Sequence, residues 1–143
     1  MRKILLLQGA NMSFLGRRQP ELYGTTTAAE LDAMMTAHAA ARDTELLIHY
    51  THVEGEAISR LYAAVDEGVA GVLMNPAGFL YAGYALRDCL RALPIPCVEV
   101  HMTNIEARGM RSVTAEAVAG AVMGFGIDSY VAGFDALVRH LDR

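Results

Sequence analysis

Arg18 and Tyr23 stand in the segment Gly16-Arg17-Arg18-Gln19-Pro20-Glu21-Leu22-Tyr23-Gly24, between a hydrophobic run and the start of a helix. A phenol has a pKa near ~10 in water and is a poor base at neutral pH. A guanidinium held beside it favours the phenolate, so the two side chains together can make a base. Taken alone, the segment reads better as a surface turn with solvated charges. A second pair lies far along the chain in Glu99-Val100-His101. Strand alternation puts Glu99 and His101 on the same side. There a carboxylate fixes the imidazole tautomer and favours its protonated form. That is a general-acid arrangement, and such groups supply roughly 10²–10⁴-fold in rate. A structural Glu–His pair fits these three residues just as well. A base and an acid in one frame, however, are more than ligand binding needs.

Other polar residues fall at the same end of the expected strands. Asn11 follows the first hydrophobic run, and Asn75 precedes Pro76 at the end of another. Each alone is ordinary turn chemistry, but together with Arg18, Tyr23 and His101 they outline a site. Arg108 and Arg111 follow on the loop after His101, where two guanidiniums suit an anionic substrate such as a carboxylate. His52 lies at the correct strand end to reach the same region, whereas His38 and His140 fall on helices and read as structural. The single lysine, Lys3, enters the first strand. Ligands of open α/β sheets bind at the opposite end, which argues against a lysine Schiff base. The chain has no phosphate loop of the Gly-x-x-x-x-Gly-Lys-Ser/Thr kind. A single glycine in Gln8-Gly9-Ala10-Asn11 disfavours dinucleotide cradling. No His/Cys cluster has zinc spacing and no Gly-x-Ser-x-Gly elbow occurs, so neither a metal nor a cofactor is expected.

These residues need strands to carry them. Four apolar runs read as strands: Lys3–Leu7, Glu45–Tyr50, Gly71–Asn75 and Cys97–His101, with a brief fifth near Arg111–Val113. Between them lie segments of helical spacing. Leu31, Met34, Met35, His38 and Ala41 share one face, after a Thr27/Glu30 capping box. Glu56–Glu67 forms a second helix, and Phe79–Leu93 a third that Pro94 and Pro96 end. A short small-residue helix is expected at Ala115–Gly124 and a last one at Ser129–Leu141. Alternating β and α elements of this size imply a parallel sheet covered on both faces. The loops after the strands then carry the chemistry: Gln8–Gly24, Thr51–Gly55, Asn75–Tyr81 and His101–Ser112.

Composition sets the outer bounds. The chain has 143 residues, 53% hydrophobic and 20% charged, which suits one domain over residues 1–143 with one core. A net charge of -4 gives no reason to expect nucleic acid, and the apolar runs are too short to span a membrane. Cys89 and Cys97 lack Cys-x-x-Cys spacing, and the first strand is too short for a signal-peptide core. A reducing cytoplasm is the expected location.

Collectively, several motifs resemble those of the type II 3-dehydroquinate dehydratases, almost end to end. They are Gly9-Ala10-Asn11 with Leu15-Gly16, Arg18 to Gly24, Glu54-Gly55-Glu56, Asn75-Pro76, and Ala85-Leu86-Arg87-Asp88. Further on come Ile95-Pro96 with Glu99-Val100-His101, Asn104-Ile105 with Ala107-Arg108, and Gly124-Phe125-Gly126. The resemblance implies a flavodoxin-like α/β sandwich with a parallel sheet of about five strands, assembled as trimers that build a dodecamer. It implies an anti elimination of water from 3-dehydroquinate, a small anionic carbocycle, to 3-dehydroshikimate through an enolate. Tyr23 is then the base, aided by Arg18, and His101 the acid, oriented by Glu99. Asn11 holds a water near the enolate oxygen, and Asn75 takes substrate hydroxyls. The backbone amides of Met102 and Thr103 form the carboxylate site, and Asp88 reaches a neighbouring subunit's site. The chain also departs from the pattern. Tyr81 stands where a histidine that touches substrate is usual, with Ala82 and Gly83 in place of hydroxyl residues. Glu106 replaces another histidine, Gln19 a glutamate and Ser13 an asparagine. The loop from Gly109 to Ser112 is a few residues short, so either Arg108 or Arg111 could serve as the substrate arginine. The bond-breaking groups are kept while the pocket-shaping ones are altered. This leaves a relative acting on another cyclic or β-hydroxy carbonyl compound as an alternative, and a non-catalytic binding or assembly protein as a second.

Overall fold

A computed structural model describes all 143 residues. Five strands, β1 (Arg2–Ala10), β2 (Thr44–Tyr50), β3 (Gly71–Ala77), β4 (Cys97–His101) and β5 (Gly120–Met123), form one sheet in the order β2-β1-β3-β4-β5. Every pairing is parallel. This is the flavodoxin-like order. The chain steps from β1 to β2 on one side and then crosses to β3 on the other. The loops after β1 and β3 therefore diverge and leave a crevice at the carboxyl ends of those strands.

The helices are α1 (Pro20–Tyr23), α2 (Ala28–Ala40), α3 (Glu54–Asp66), α4 (Tyr84–Ala92) and α5 (Asp128–Leu141). β1 is apolar on both faces because both are covered. Ile4 and Leu6 pack with Leu31, Met35, Tyr130 and Phe134 under α2 and α5. Leu5 and Leu7 pack with Ala57, Leu61 and Leu86 under α3 and α4. The Thr27/Glu30 capping box at the start of α2 is present in both directions. Glu54 accepts the Leu86 N–H at 2.9 Å, so the acidic end of α3 caps an open donor of α4. Gly9 has a purpose in packing: a Cβ there would lie 2.2 Å from the Pro76 carbonyl oxygen. Only glycine lets the ends of β1 and β3 approach this closely. Lys3 sits at the far end of the sheet, beside the Glu67 carbonyl, away from the crevice. No helix is long and apolar enough to cross a membrane.

Two sequence expectations fail in one stretch. Ala115–Gly124 is not a helix: a short 3₁₀ turn at Ala115–Ala117 leads into β5. Arg111–Val113 is not a strand, and the fifth strand lies further on. Alanine-rich residues favour helix locally, but the open edge of β4 supplies ladder partners from Val98 to His101 that a helix would forgo. The third helix also begins late. Gly78–Leu80 forms a 3₁₀ turn, and α4 starts only at Tyr84.

Candidate active site

The crevice between the ends of β1, β3 and β4 is a cleft of about 520 Å³ counted to its open mouth. Asn11, Arg18, Tyr23, Asn75, Tyr81, His101, Met102, Thr103 and Arg108 all line it. Nine of the residues singled out in the sequence, drawn from three separate loops, therefore share one cavity. Met12, Leu80, Ile105 and Met110 add apolar surface, and Ala77 and Gly78 complete the lining.

The segment after β1 lies over one side of the cleft as its lid, where Pro20 opens the single turn of α1 and Tyr23 closes it. Two guanidiniums flank the phenol. That of Arg18 lies 5.1 Å from the ring centroid, and that of Arg108 5.9 Å away. Arg108 also donates to the Tyr23 hydroxyl at 3.2 Å and to Thr103 Oγ1 at 2.9 Å, tying the lid to the loop after β4.

On the strand side, His101 and Glu99 face the same way, as alternation requires, with Nε2 2.6 Å from the buried Glu99 carboxylate. Asn11 adopts a left-handed φ of 80°. The neighbouring His52 holds it there: its Nδ1 accepts the Asn11 N–H at 2.9 Å, and its Nε2 lies 3.2 Å from Ser13 Oγ. Asn75 is fixed from behind. Its Nδ2 donates to Tyr130 Oη at 2.8 Å, and Tyr130 donates in turn to Gln8 Oε1 at 2.9 Å. Its Oδ1 accepts the N–H of Ala77, whose φ of 46° is costly for an L-residue. Burial pushes the Tyr130 hydroxyl well above the ordinary phenol range, against the pull of its bonds to Asn75 and Gln8. It therefore stays a neutral donor and acceptor.

Two expected residues lie elsewhere. Arg111 is 78% exposed and paired to Glu116 at 2.7 Å. Arg111 is turned out of the cleft, and of the two arginines only Arg108 reaches the lining. Asp88 sits on the exposed face of α4, outside the cleft. Sequence reasoning missed Gln8 and Tyr130 behind Asn75, and Ser112 and Thr114 behind Glu99. Gln8 carried a faint signal, a polar residue continuing the run Leu5-Leu6-Leu7. Tyr130 carried none.

A flavodoxin-like sheet with a cleft of polar and charged side chains at its switch point defines an α/β enzyme scaffold. The family model for class II dehydroquinases matches residues 2–138. The chain is 43% identical over 130 residues to the 3-dehydroquinate dehydratase of Thermus thermophilus, covering 89% of this chain and 87% of that one. It is 38% identical over 140 residues to that of Caldicellulosiruptor saccharolyticus, covering 96% and 97%. Among solved structures, the type II dehydroquinase of Butyrivibrio crossotus superposes with a TM-score of 0.91 at 30% identity, over 96% of this chain and 97% of that one. That of Propionibacterium acnes superposes with 0.90 at 32%, over 100% and 98%. The chain belongs to the class II dehydroquinase family, a family of hydro-lyases.

Proposed function

We propose that this protein removes water from 3-dehydroquinate by anti elimination, giving 3-dehydroshikimate. The observation that carries the reading is the cleft shared by the Tyr23 hydroxyl and the His101 ring. The Tyr23 phenolate, beside the Arg18 and Arg108 guanidiniums, takes the proton next to the ketone. The electron pair moves into an enolate, whose oxygen a water held by Asn11 stabilises. Protonated His101 then gives its proton to the departing hydroxyl while the enolate collapses to the conjugated enone. Glu99 holds the imidazolium and stabilises its charge. Asn75 Oδ1 has a lone pair left for a substrate hydroxyl after accepting from Ala77. The N–H groups of Met102 and Thr103 donate to no group of this chain and suit the substrate carboxylate. Arg108, not Arg111, is the arginine in reach of it.

Tyr81 supports a second reading. It is exposed on the cleft rim where the family pattern has a histidine, so a related β-hydroxy carbonyl compound would meet a phenol there. Trimers building a dodecamer, with Asp88 reaching the neighbour's site, belong to the same proposal. Enone absorbance with 3-dehydroquinate tests the first reading directly. Turnover with that substrate, abolished in Tyr23→Phe with ligand affinity preserved, supports it. Turnover of related β-hydroxy carbonyl compounds alone would favour the second, and an active Tyr23→Phe would remove the assigned base.

A further inference from the structure

Behind the cleft wall stands a short row of hydroxyls that the chemistry above leaves unused. Thr114 is fully buried and Ser112 nearly so, on the loop between Met110 and the turn at Ala115–Ala117. Thr114 Oγ1 makes a short hydrogen bond to Glu99 Oε1, and Ser112 Oγ lies 3.0 Å from Thr114 Oγ1. The other Glu99 oxygen contacts His101 Nε2 at 2.6 Å. The proton order in this row is forced. Thr114 donates its one hydroxyl hydrogen to Glu99 Oε1. Ser112 must then donate to Thr114. The row is thus Ser112 to Thr114 to Glu99 to His101, ending at the cleft.

We propose that Thr114, backed by Ser112, is a positioning residue that sets how tightly the Glu99–His101 pair holds its proton. The proposal rests on His101 being the acid of the elimination. A hydrogen bond to a carboxylate stabilises its charged form and reduces the negative charge its partner feels. Without the Thr114 hydroxyl, the pair binds its proton more strongly, whichever of the two groups carries it. A more tightly held proton is a weaker acid, and its transfer to the departing hydroxyl slows. Thr114 also pins one carboxylate oxygen so that the other faces the imidazole. The surrounding groups leave this control to the hydroxyl row. The Cys97 thiol, two residues back on the same strand face, is pushed far up by burial and then by the Glu99 charge, and stays neutral. Across the cleft stand the Arg18 and Arg108 guanidiniums, which do not titrate, and the Tyr23 phenol.

The test pairs two readouts in Thr114→Val, Thr114→Ser and Ser112→Ala: the pH profile of enone formation, and the ¹⁵N-detected titration of the His101 ring in the free protein. Thr114→Val should move the basic limb and the ring titration up by about one pH unit. It should also lower kcat about 3- to 10-fold at neutral pH. Thr114→Ser should restore both, and Ser112→Ala should shift them the same way by less. A merely structural role would lower activity without moving either titration. Titrations within about 0.2 unit of the parent in Thr114→Val overturn the proposal. If that variant does not fold, an unshifted Ser112→Ala overturns it instead. Full turnover in His101→Gln would defeat the acid assignment, while the ring titration in the free protein still decides whether Thr114 controls the pair.

Discussion

Removing one oxygen from the core, in Tyr130→Phe, should damage both the stability of the protein and its grip on substrate. The ring is fully buried under α5, and phenylalanine keeps its shape. What disappears is the hydroxyl that accepts from Asn75 Nδ2 at 2.8 Å and donates to Gln8 Oε1 at 2.9 Å. Asn75 Nδ2 keeps only a weak contact to the Met12 sulfur at 3.5 Å. The Gln8 side chain, whose Nε2 already lacks a partner, loses its bond to Tyr130. Each buried group left unsatisfied costs about 1–3 kcal/mol, so the variant should lose about 2–4 kcal/mol. For a chain of this size that lowers Tm by roughly 6–15 °C. Urea and thermal unfolding measure the loss. Because burial keeps the Tyr130 hydroxyl protonated, the loss should be the same from pH 6 to pH 9. Adding Gln8→Leu removes one of the orphans, so the double variant should be more stable than the sum of the singles by about 1 kcal/mol or more. In the enone assay KM should rise several-fold with kcat little changed, since Asn75 loses the partner that orients it. A loss below about 0.5 kcal/mol, or full additivity with Gln8→Leu, would refute the claim that these bonds hold the Asn75 wall in place.

The two loop arginines should separate cleanly. Arg111→Ala, removing an exposed side chain paired to Glu116, should leave kcat/KM within about 2-fold of the parent. Arg108→Leu removes charge-assisted bonds at the lid and should lower it about 10- to 100-fold; steady-state kinetics on both variants check this. Cys97 gives a pH signature. Its buried thiol is pushed well above the ordinary value of 9.0. The folded state therefore holds that proton where the unfolded chain releases it, and stability should fall as pH rises above about 9. Urea midpoints from pH 8 to 10.5 should show a decline that is shallower in Cys97→Ala. Alkylation at pH 8 should label Cys97 only after unfolding.

Much of the frame was legible in the chain. Strand runs such as Ile4–Leu7 are apolar at every position because both faces of a parallel sheet are covered, and Thr27 with Glu30 marks a helix start by local hydrogen bonding alone. The Glu99–His101 pair was equally readable, since a strand turns successive side chains to opposite faces. What eluded local reasoning depends on neighbours far away in sequence. β5 follows an alanine-rich stretch that reads as helix by itself, and its pairing with β4 appears only when that distant edge is in place. That Arg108 and not Arg111 lines the cleft follows from the path of the loop after β4, which pairs Arg111 with Glu116 on the outside. Thr114 behind Glu99 and Tyr130 behind Asn75 were invisible as a threonine and a tyrosine among others. Residue types and their periodicity thus determined most of the elements and named most of the polar groups that line the cleft, because those follow from forces acting within a few residues. The tertiary structure alone decided which groups stand behind the reactive ones. A buried hydroxyl takes its meaning from what lies within about 3 Å of it, and that is settled only when distant segments meet.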